Sequence, residues 1–279
     1  MSISKVKGKV SEMTLKDLES LPKVENGQTN SKKMRILLIN PNSTELMTVN
    51  CLKMAQNFLA PDVVLYGYTS SKPSPAVIEC HLDGVLSSAD TFRDAYDYAK
   101  QADAMLVACF SDHPLVNCLR EEFDVPICGI FEAGLYTARL LGGRFGIVTT
   151  VGRSSIRHGD AVRNFGLSGF CAGLLSTNLK VAELHTKPRE EVLQLMSDVA
   201  YKLVEDYGAD VLILGCAGMA DMQEAVENSV KDRSVPVIDG VVSGVNLLTG
   251  LVRSGLKTSP RGLFASSLDA RAERGQNYF

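Results

Sequence analysis

Tryptophan is absent from the 279 residues, and histidine occurs only four times, singly, at 81, 113, 158 and 185. Histidines so dispersed offer no zinc-ligand spacing, and no metal is expected. The seven cysteines (51, 80, 109, 118, 128, 171 and 216) include no CxxC pair and no disulfide framework. They read as reduced thiols of a cytoplasmic protein. An excess of charge is lacking too. The formal net charge of −3 gives no reason to expect nucleic acid or an anionic membrane as partner. No apolar run approaches the roughly 18 residues that a bilayer span requires. The first 33 residues are polar and lysine-rich without an apolar h-region, unlike a secretory signal. What is present is ordinary globular composition, 45% hydrophobic and 22% charged. The chain is long enough to bury a sizeable core in one large or two modest domains.

One stretch occurs twice. Ala102-Asp-Ala-Met-Leu-Val-Ala-Cys109 aligns without a gap on Ala209-Asp-Val-Leu-Ile-Leu-Gly-Cys216, at an offset of 107. Each is an apolar run of strand length that ends on a cysteine. Arg144–Thr150 likewise matches Arg35–Pro41 at an offset of 109, and Val235-Pro-Val-Ile238 matches Val125-Pro-Ile-Cys128 at 110. Three landmarks in one order indicate an internal duplication, with strands alternating with helices in each half. Met34–Asn40, Pro61–Tyr68, Ala102–Cys109 and Val125–Cys128 read as strands of the first half. Helices are expected after Asn42-Ser43-Thr44 (candidate N-caps), over 84–101 and from Asp112-His113-Pro114. Arg144–Thr150, Phe170–Ser176, Ala209–Cys216 and Val235–Ile238 repeat the strands, with helices from Gly152 and over 188–207. A helix over 240–254 is the last strong element.

The fold class is therefore α/β, with two pseudo-symmetric parallel-sheet domains, flanking helices and a site in the cleft between them. The first domain takes residues 34–130 with 241–257 and the second 131–240. Residues 1–33, with one short helix capped by Thr14, and 258–279 read as loosely held tails. Asp103 and Asp210 repeat in register at strand starts, where turns explain them. Gly142, Gly143 and Gly146 precede their strand, which argues against a dinucleotide loop.

In such a fold Cys109 and Cys216 stand at strand C-terminal ends, where ligands bind. A single cysteine is readily a small core residue, but a matched pair facing one cleft suits two-base proton transfer. One thiolate removes a proton from one face of a carbon and the opposite thiol delivers one to the other face. No metal or organic cofactor is needed. A helix N-terminus after each cysteine would lower its pKa from about 8.5.

The motifs Arg35-Ile-Leu-Leu-Ile-Asn-Pro-Asn-Ser-Thr44, Ala108-Cys109-Phe110, Val148-Thr149-Thr150, Gly215-Cys216-Ala217-Gly218-Met219 and Val235-Pro-Val-Ile-Asp-Gly240 resemble the hydantoin racemase family, within the aspartate/glutamate racemase superfamily. The resemblance spans about residues 34–257. It implies two α/β domains, no cofactor, the two cysteines as opposing acid and base, and a last helix that returns to the first domain. It also implies a homo-oligomer that racemises C5 of a hydantoin ring or of allantoin, the latter placing it in purine catabolism. Where many relatives resemble C-F-x-D-P-G, this chain reads Cys109-Phe110-Ser111-Asp112-His113-Pro114.

C5–H lies beside a carbonyl, so its loss gives an enolate that needs a cradle of hydrogen-bond donors. Candidates for holding this ring-amide substrate are Asn42, Ser43, Phe110, Ser111, Thr149, Thr150, Ala217 and Gly218, together with Pro75 at the end of the long 69–75 loop. For Asn42, Ser43 and the threonines, helix capping is an equal reading. Glu79 and His81 could close over the site or serve only as caps, and Glu132, Gly134 and Tyr136 could line the domain junction. Two other readings keep the cleft: another cysteine-dependent racemase, isomerase or decarboxylase, and a non-catalytic small-molecule binder. Phe110 and Ala217 after the cysteines speak against an amino-acid racemase, whose relatives tend to place Asn-Thr and Thr there.

Overall fold

The computed structural model describes residues 16–27, 33–276 and 278. Strand β1 (Lys23–Glu25) is followed by β2 (Met34–Asn40), α1 (Glu45–Gln56), β3 (Val63–Thr69), α2 (His81–Ala99), β4 (Ala104–Val107), α3 (Pro114–Glu122) and β5 (Ile127–Gly129). Helix α4 (Ile130–Leu141) then leads to β6 (Phe145–Thr149), α5 (Gly152–Asn164), β7 (Cys171–Ser176), α6 (Glu183–Thr186), α7 (Arg189–Glu205), β8 (Val211–Leu214), α8 (Gln223–Ser229) and β9 (Val237–Ile238). Helices α9 (Gly240–Arg253) and α10 (Leu268–Glu273) complete the order.

The strands form two sheets, β1-β3-β2-β4-β5 and β7-β6-β8-β9. Apart from antiparallel β1, every pair is parallel. The duplication seen in the sequence is reproduced in the register. Ile36 lies opposite Ala104 and Phe145 opposite Val211, and both positions are displaced by the offsets 109 and 107. The turns match as well. Asp103 accepts from the Arg35 amide at 2.8 Å and Asp210 from the Arg144 amide at 2.8 Å, each tying a strand start to its neighbour. Aspartate suits this place because a carboxylate can accept the backbone N–H that the strand edge leaves over.

Near-continuous apolar strands such as Ile36–Ile39 and Val211–Leu214 are covered on both faces, as parallel sheets require. One core under α2 and α3 holds Leu37, Met105 and Leu119; another under α7 and α8 holds Val148, Met196 and Leu212. Between the sheets a single shared core joins Leu38 and Leu106 of one half to Phe131, Phe145 and Ile213 of the other. Helices α4 and α9 cross within it. Gly240 allows that approach, since a Cβ there would collide with the Ile130 carbonyl. Gly244 lets α9 sit directly on Leu106 of β4, so the last helix packs on the first sheet.

In both segments expected to be loose, 1–33 and 258–279, described residues make defined contacts. Thr14 lies outside the described residues; a short 3₁₀ turn at Leu18–Ser20 is capped instead by Asp17. Leu18 is buried, and β1 pairs along β3, covering what would otherwise be the sheet's open edge. At the other end, Thr258 donates to the Asp124 and Val125 carbonyls, and Arg271 pairs with Glu122, both side chains largely buried. Helix α4 is an addition that the sequence reading did not include.

Candidate active site

The two cysteines stand at equivalent places, each two residues past a central strand, β4 or β8. The backbone leading to them is held alike. Ala108 N–H donates to Ile39 O at 2.8 Å, and Gly215 N–H to Val148 O at 2.8 Å. Cys109, Cys216 and the residues beside them open onto one small cleft between the sheets, with about 50 Å³ of water-accessible space. Asn42, Phe110, Ser111, Thr150 and Ala217 line it with the thiols.

Four other expected residues lie just behind this wall. Ser43 is tied to the 69–75 loop, its amide donating to Pro75 O at 2.9 Å and its hydroxyl to Ser74 O at 3.0 Å. Pro75 thereby braces the loop and does not face the cavity. Thr149 is buried, its hydroxyl shared with Ser155 at 2.6 Å and Leu175 O at 3.2 Å. The amide of Gly218 donates to the Cys216 sulfur at 3.3 Å, so this residue reaches the site through the thiol. The capping alternative holds only loosely. Thr44 stands at the α1 N-cap without a side-chain capping bond, its hydroxyl donating to Ala76 O at 2.7 Å, while Asn42 Oδ1 accepts the Thr44 amide at 2.9 Å.

The remaining wall comes from places the sequence reading left aside: Met47, Val77, Ile78, Ser154, Arg157, His158 and Val181. Ser154 lies four residues after Thr150, and Arg157 and His158 three and four after Ser154, one face of a helix start, which was the available signal. Val77 and Ile78 line the cavity, while Glu79 and His81 do not. Glu132 pairs with Arg120 at 2.7 Å, and Tyr136 is exposed. Gly134 does sit at the junction, against Ile213 and Gly240.

The electrostatics differ from the expectation of lowered thiol pKa values. Burial pushes both thiols up, Cys216 to about 12. The geometry explains this. Helix α3 starts only at Pro114, and Cys216 is followed by a 3₁₀ turn over Ala217–Met222 before α8 begins. Neither sulfur therefore sits at an α-helix N-terminus, and desolvation prevails. The opposing effects are unequal. The Ser111 hydroxyl, 3.2 Å away, and the Arg157 charge favour the Cys109 thiolate. For Cys216 the Gly218 N–H does so, while charge on Cys109 or Glu79 raises it further. His158, packed against the rings of Phe110 and Phe131, is held neutral by burial, its pKa pulled to about 4. Among the described residues, no group of three or more His, Cys, Asp or Glu side chains is placed to hold a metal ion. None of their helices is long and apolar enough to cross a membrane.

The family model for Asp/Glu/hydantoin racemases matches residues 36–248, which includes the second sheet, all of the first but β1 and the start of β2, and the whole cavity. The chain belongs to this family. It is 33% identical over 227 residues to the hydantoin racemase of Pseudomonas sp. (strain NS671), covering 81% of this chain and 89% of that protein. An uncharacterized protein of Schizosaccharomyces pombe is 42% identical over 232 residues, covering 83% of this chain and 97% of its own. Among solved structures, the allantoin racemase of Pseudomonas fluorescens superposes with a TM-score of 0.77 at 28% identity, covering 84% of this chain and 97% of that one. The protein is accordingly an isomerase of the racemase class, related to hydantoin and allantoin racemases.

Proposed function

We propose that this racemase inverts C5 of 5-substituted hydantoins or of allantoin without a cofactor, using Cys109 and Cys216 as the two bases. The observation that carries the reading is the shared cavity. Two thiols at duplicated strand ends line it together, with no carboxylate among its lining residues. One thiolate takes the C5 proton, the electron pair moves onto the adjacent carbonyl oxygen as an enolate, and the opposite thiol returns a proton to the other face of C5. The pair must carry one proton between its two sulfurs, so the neutral resting pair loses one before the first transfer. Ser111 and Arg157 make Cys109 the sulfur that gives it up. The Asn42 amide and the Thr150 hydroxyl, both in the cavity lining, would donate to ring and enolate oxygens. The unpaired state of all seven thiols fits a reducing, cytoplasmic setting. Exposed Leu82, Val85 and Leu86 on α2 offer an apolar face for a homo-oligomer.

The test is racemisation of a single hydantoin or allantoin enantiomer in D₂O, followed by optical rotation and by deuterium at C5. Cys109→Ala and Cys216→Ala should each slow it by roughly 10²–10⁴, the usual contribution of a positioned acid or base. A variant that racemises at the wild-type rate would remove that thiol from the mechanism. Protection of the thiols from alkylation by hydantoins, with no turnover, would instead make the protein a binder.

A further inference from the structure

The cavity wall carries one cation and no acid. Arg157 projects from the second turn of α5, on the face that also presents Ser154 and Thr150. Its Nε is buried without a hydrogen-bond partner, and no ion pair engages its guanidinium among the described residues. Asp83, whose carboxylate responds to this charge, is already committed to the amides of Glu79 and Cys80 at 2.9 and 3.0 Å. Beside Arg157, His158 is only 5% exposed, and its Nδ1 also lacks a partner. Arg157 as a whole is half-buried, but its Nε is shut off from water, and leaving that N–H unmet is costly, so an acceptor is expected to meet this edge of the guanidinium when the site is filled. A neutral ring amide does not need a cation. Its carbonyl and N–H edges are within the capacity of the amide and hydroxyls of Asn42, Ser111 and Thr150.

We infer that Arg157 is a specificity-determining residue that binds a hydrogen-bond acceptor on the substituent at C5. A carboxylate is the preferred group, because a guanidinium engages it through two parallel N–H···O bonds. A ureido carbonyl ranks next, and an alkyl or aryl arm last. The inference rests on the racemase reading and names the substrate class within it. Its effect on Cys109 follows from the same charge. An arm that neutralises Arg157 makes the Cys109 thiolate harder to form, so selectivity must appear as tighter binding more than as faster turnover.

The experiment compares hydantoin-5-acetate, allantoin and 5-methylhydantoin on the wild type, Arg157→Lys and Arg157→Met. Wild-type kcat/KM should fall in that order. In Arg157→Met the ratio of kcat/KM for hydantoin-5-acetate over 5-methylhydantoin should drop at least about thirtyfold, chiefly through KM, the loss expected for a charged hydrogen bond. Lysine should restore part of the ratio. An unchanged ratio with a uniform loss on all three substrates would overturn the inference and place Arg157 at the reacting centre. A wild type that prefers 5-methylhydantoin would overturn it as well. Protection of Cys109 and Cys216 from iodoacetamide at pH 9 reads the same preference as binding alone. If the wild type racemises none of the three, the racemase reading fails. The arm-selective protection, or its absence in both wild type and Arg157→Met, still decides the role of Arg157.

Discussion

Gly215→Ala links the fold to the site in one substitution. Gly215 directly follows β8 and immediately precedes Cys216. A Cβ added there would lie 2.5 Å from the Val148 carbonyl oxygen and 3.0 Å from Ile147 Cγ2. Real Cβ atoms essentially never approach closer than 3.0 Å, so β8 and β6 must part by at least about 0.5 Å (3.0 − 2.5). The obstacle is backbone held in a sheet and cannot swing away as a side-chain tip would. Overpacking of this kind costs about 1–3 kcal/mol. Lower entropy of the unfolded chain returns about 0.4–1 kcal/mol of that. The net loss is therefore roughly 0–2.6 kcal/mol, up to several degrees in Tm for a chain of this size. Misplacing a reacting group by about 1 Å can lower a rate about 10²-fold, so half that shift at Cys216 should lower kcat by about tenfold.

Thermal melts and racemisation progress curves read the two effects separately. Gly159→Ala serves as the control, because a Cβ there meets only Leu174, at an ordinary 3.9 Å. In mid-helix it should be neutral or stabilising by about 0.5–1 kcal/mol. An unchanged Tm and kcat in Gly215→Ala would refute the argument that close packing of β8 on β6 places the sulfur. The first half shows how local this constraint is. Its equivalent residue is Ala108, and Leu38 stands where the second half has the β-branched Ile147.

The thiol pKa values set a pH dependence. With both raised by burial, alkylation of Cys216 by iodoacetamide should accelerate about tenfold per pH unit from 7 to 9, following its thiolate fraction. A plateau by pH 8 would contradict a buried neutral thiol. A folded pKa above the unfolded one stabilises below the unfolded value of about 8.5 and loses that contribution as pH rises toward the folded value, so Tm should fall above about pH 9. Arg271→Ala should leave Glu122, of which 3% is exposed, as a buried unpaired carboxylate. We expect a loss of about 3–5 kcal/mol and faster proteolysis within residues 258–279; melts and limited proteolysis matching the wild type would show that the pair does not hold this segment.

Elements marked by an apolar run and a following breaker were legible before the structure. The paired strands and their offsets carried through to the sheet register, because a parallel strand buried on both faces leaves little choice of residue. Helix α4 was hidden for a physical reason. Ile130 follows β5 with no intervening loop, and Gly129 caps the helix without a side chain, so no punctuation marks the change of period. Strand β1 escaped notice because a single valine between two charged residues shows no alternation. At the site, positions just past strand ends could be named from the sequence. Val77, Ile78 and Val181 could not, since loops distant in sequence bring them in. Arg157 and His158 needed the helical phase of α5 relative to the cleft, which depends on how α5 packs against β6 and β7.

Duplication accounts for the matching sulfurs, and departures from symmetry account for their different protonation. The scaffold places Cys109 and Cys216 at equivalent strand ends, yet each meets its own stabilising group: a hydroxyl and a cation for one, a single backbone N–H for the other. Charge on Cys109 raises Cys216 further. Once the first proton leaves, the second is therefore held more firmly than either sulfur alone would hold it, as coupled titration requires. The singly protonated pair is thereby favoured above the first loss. In the two-base mechanism proposed above, that state would serve both directions, because each turnover would move the proton from one sulfur to the other and leave the pair ready for the opposite enantiomer. Unequal surroundings would then set which sulfur starts as thiolate, and mutual repulsion would keep the other protonated.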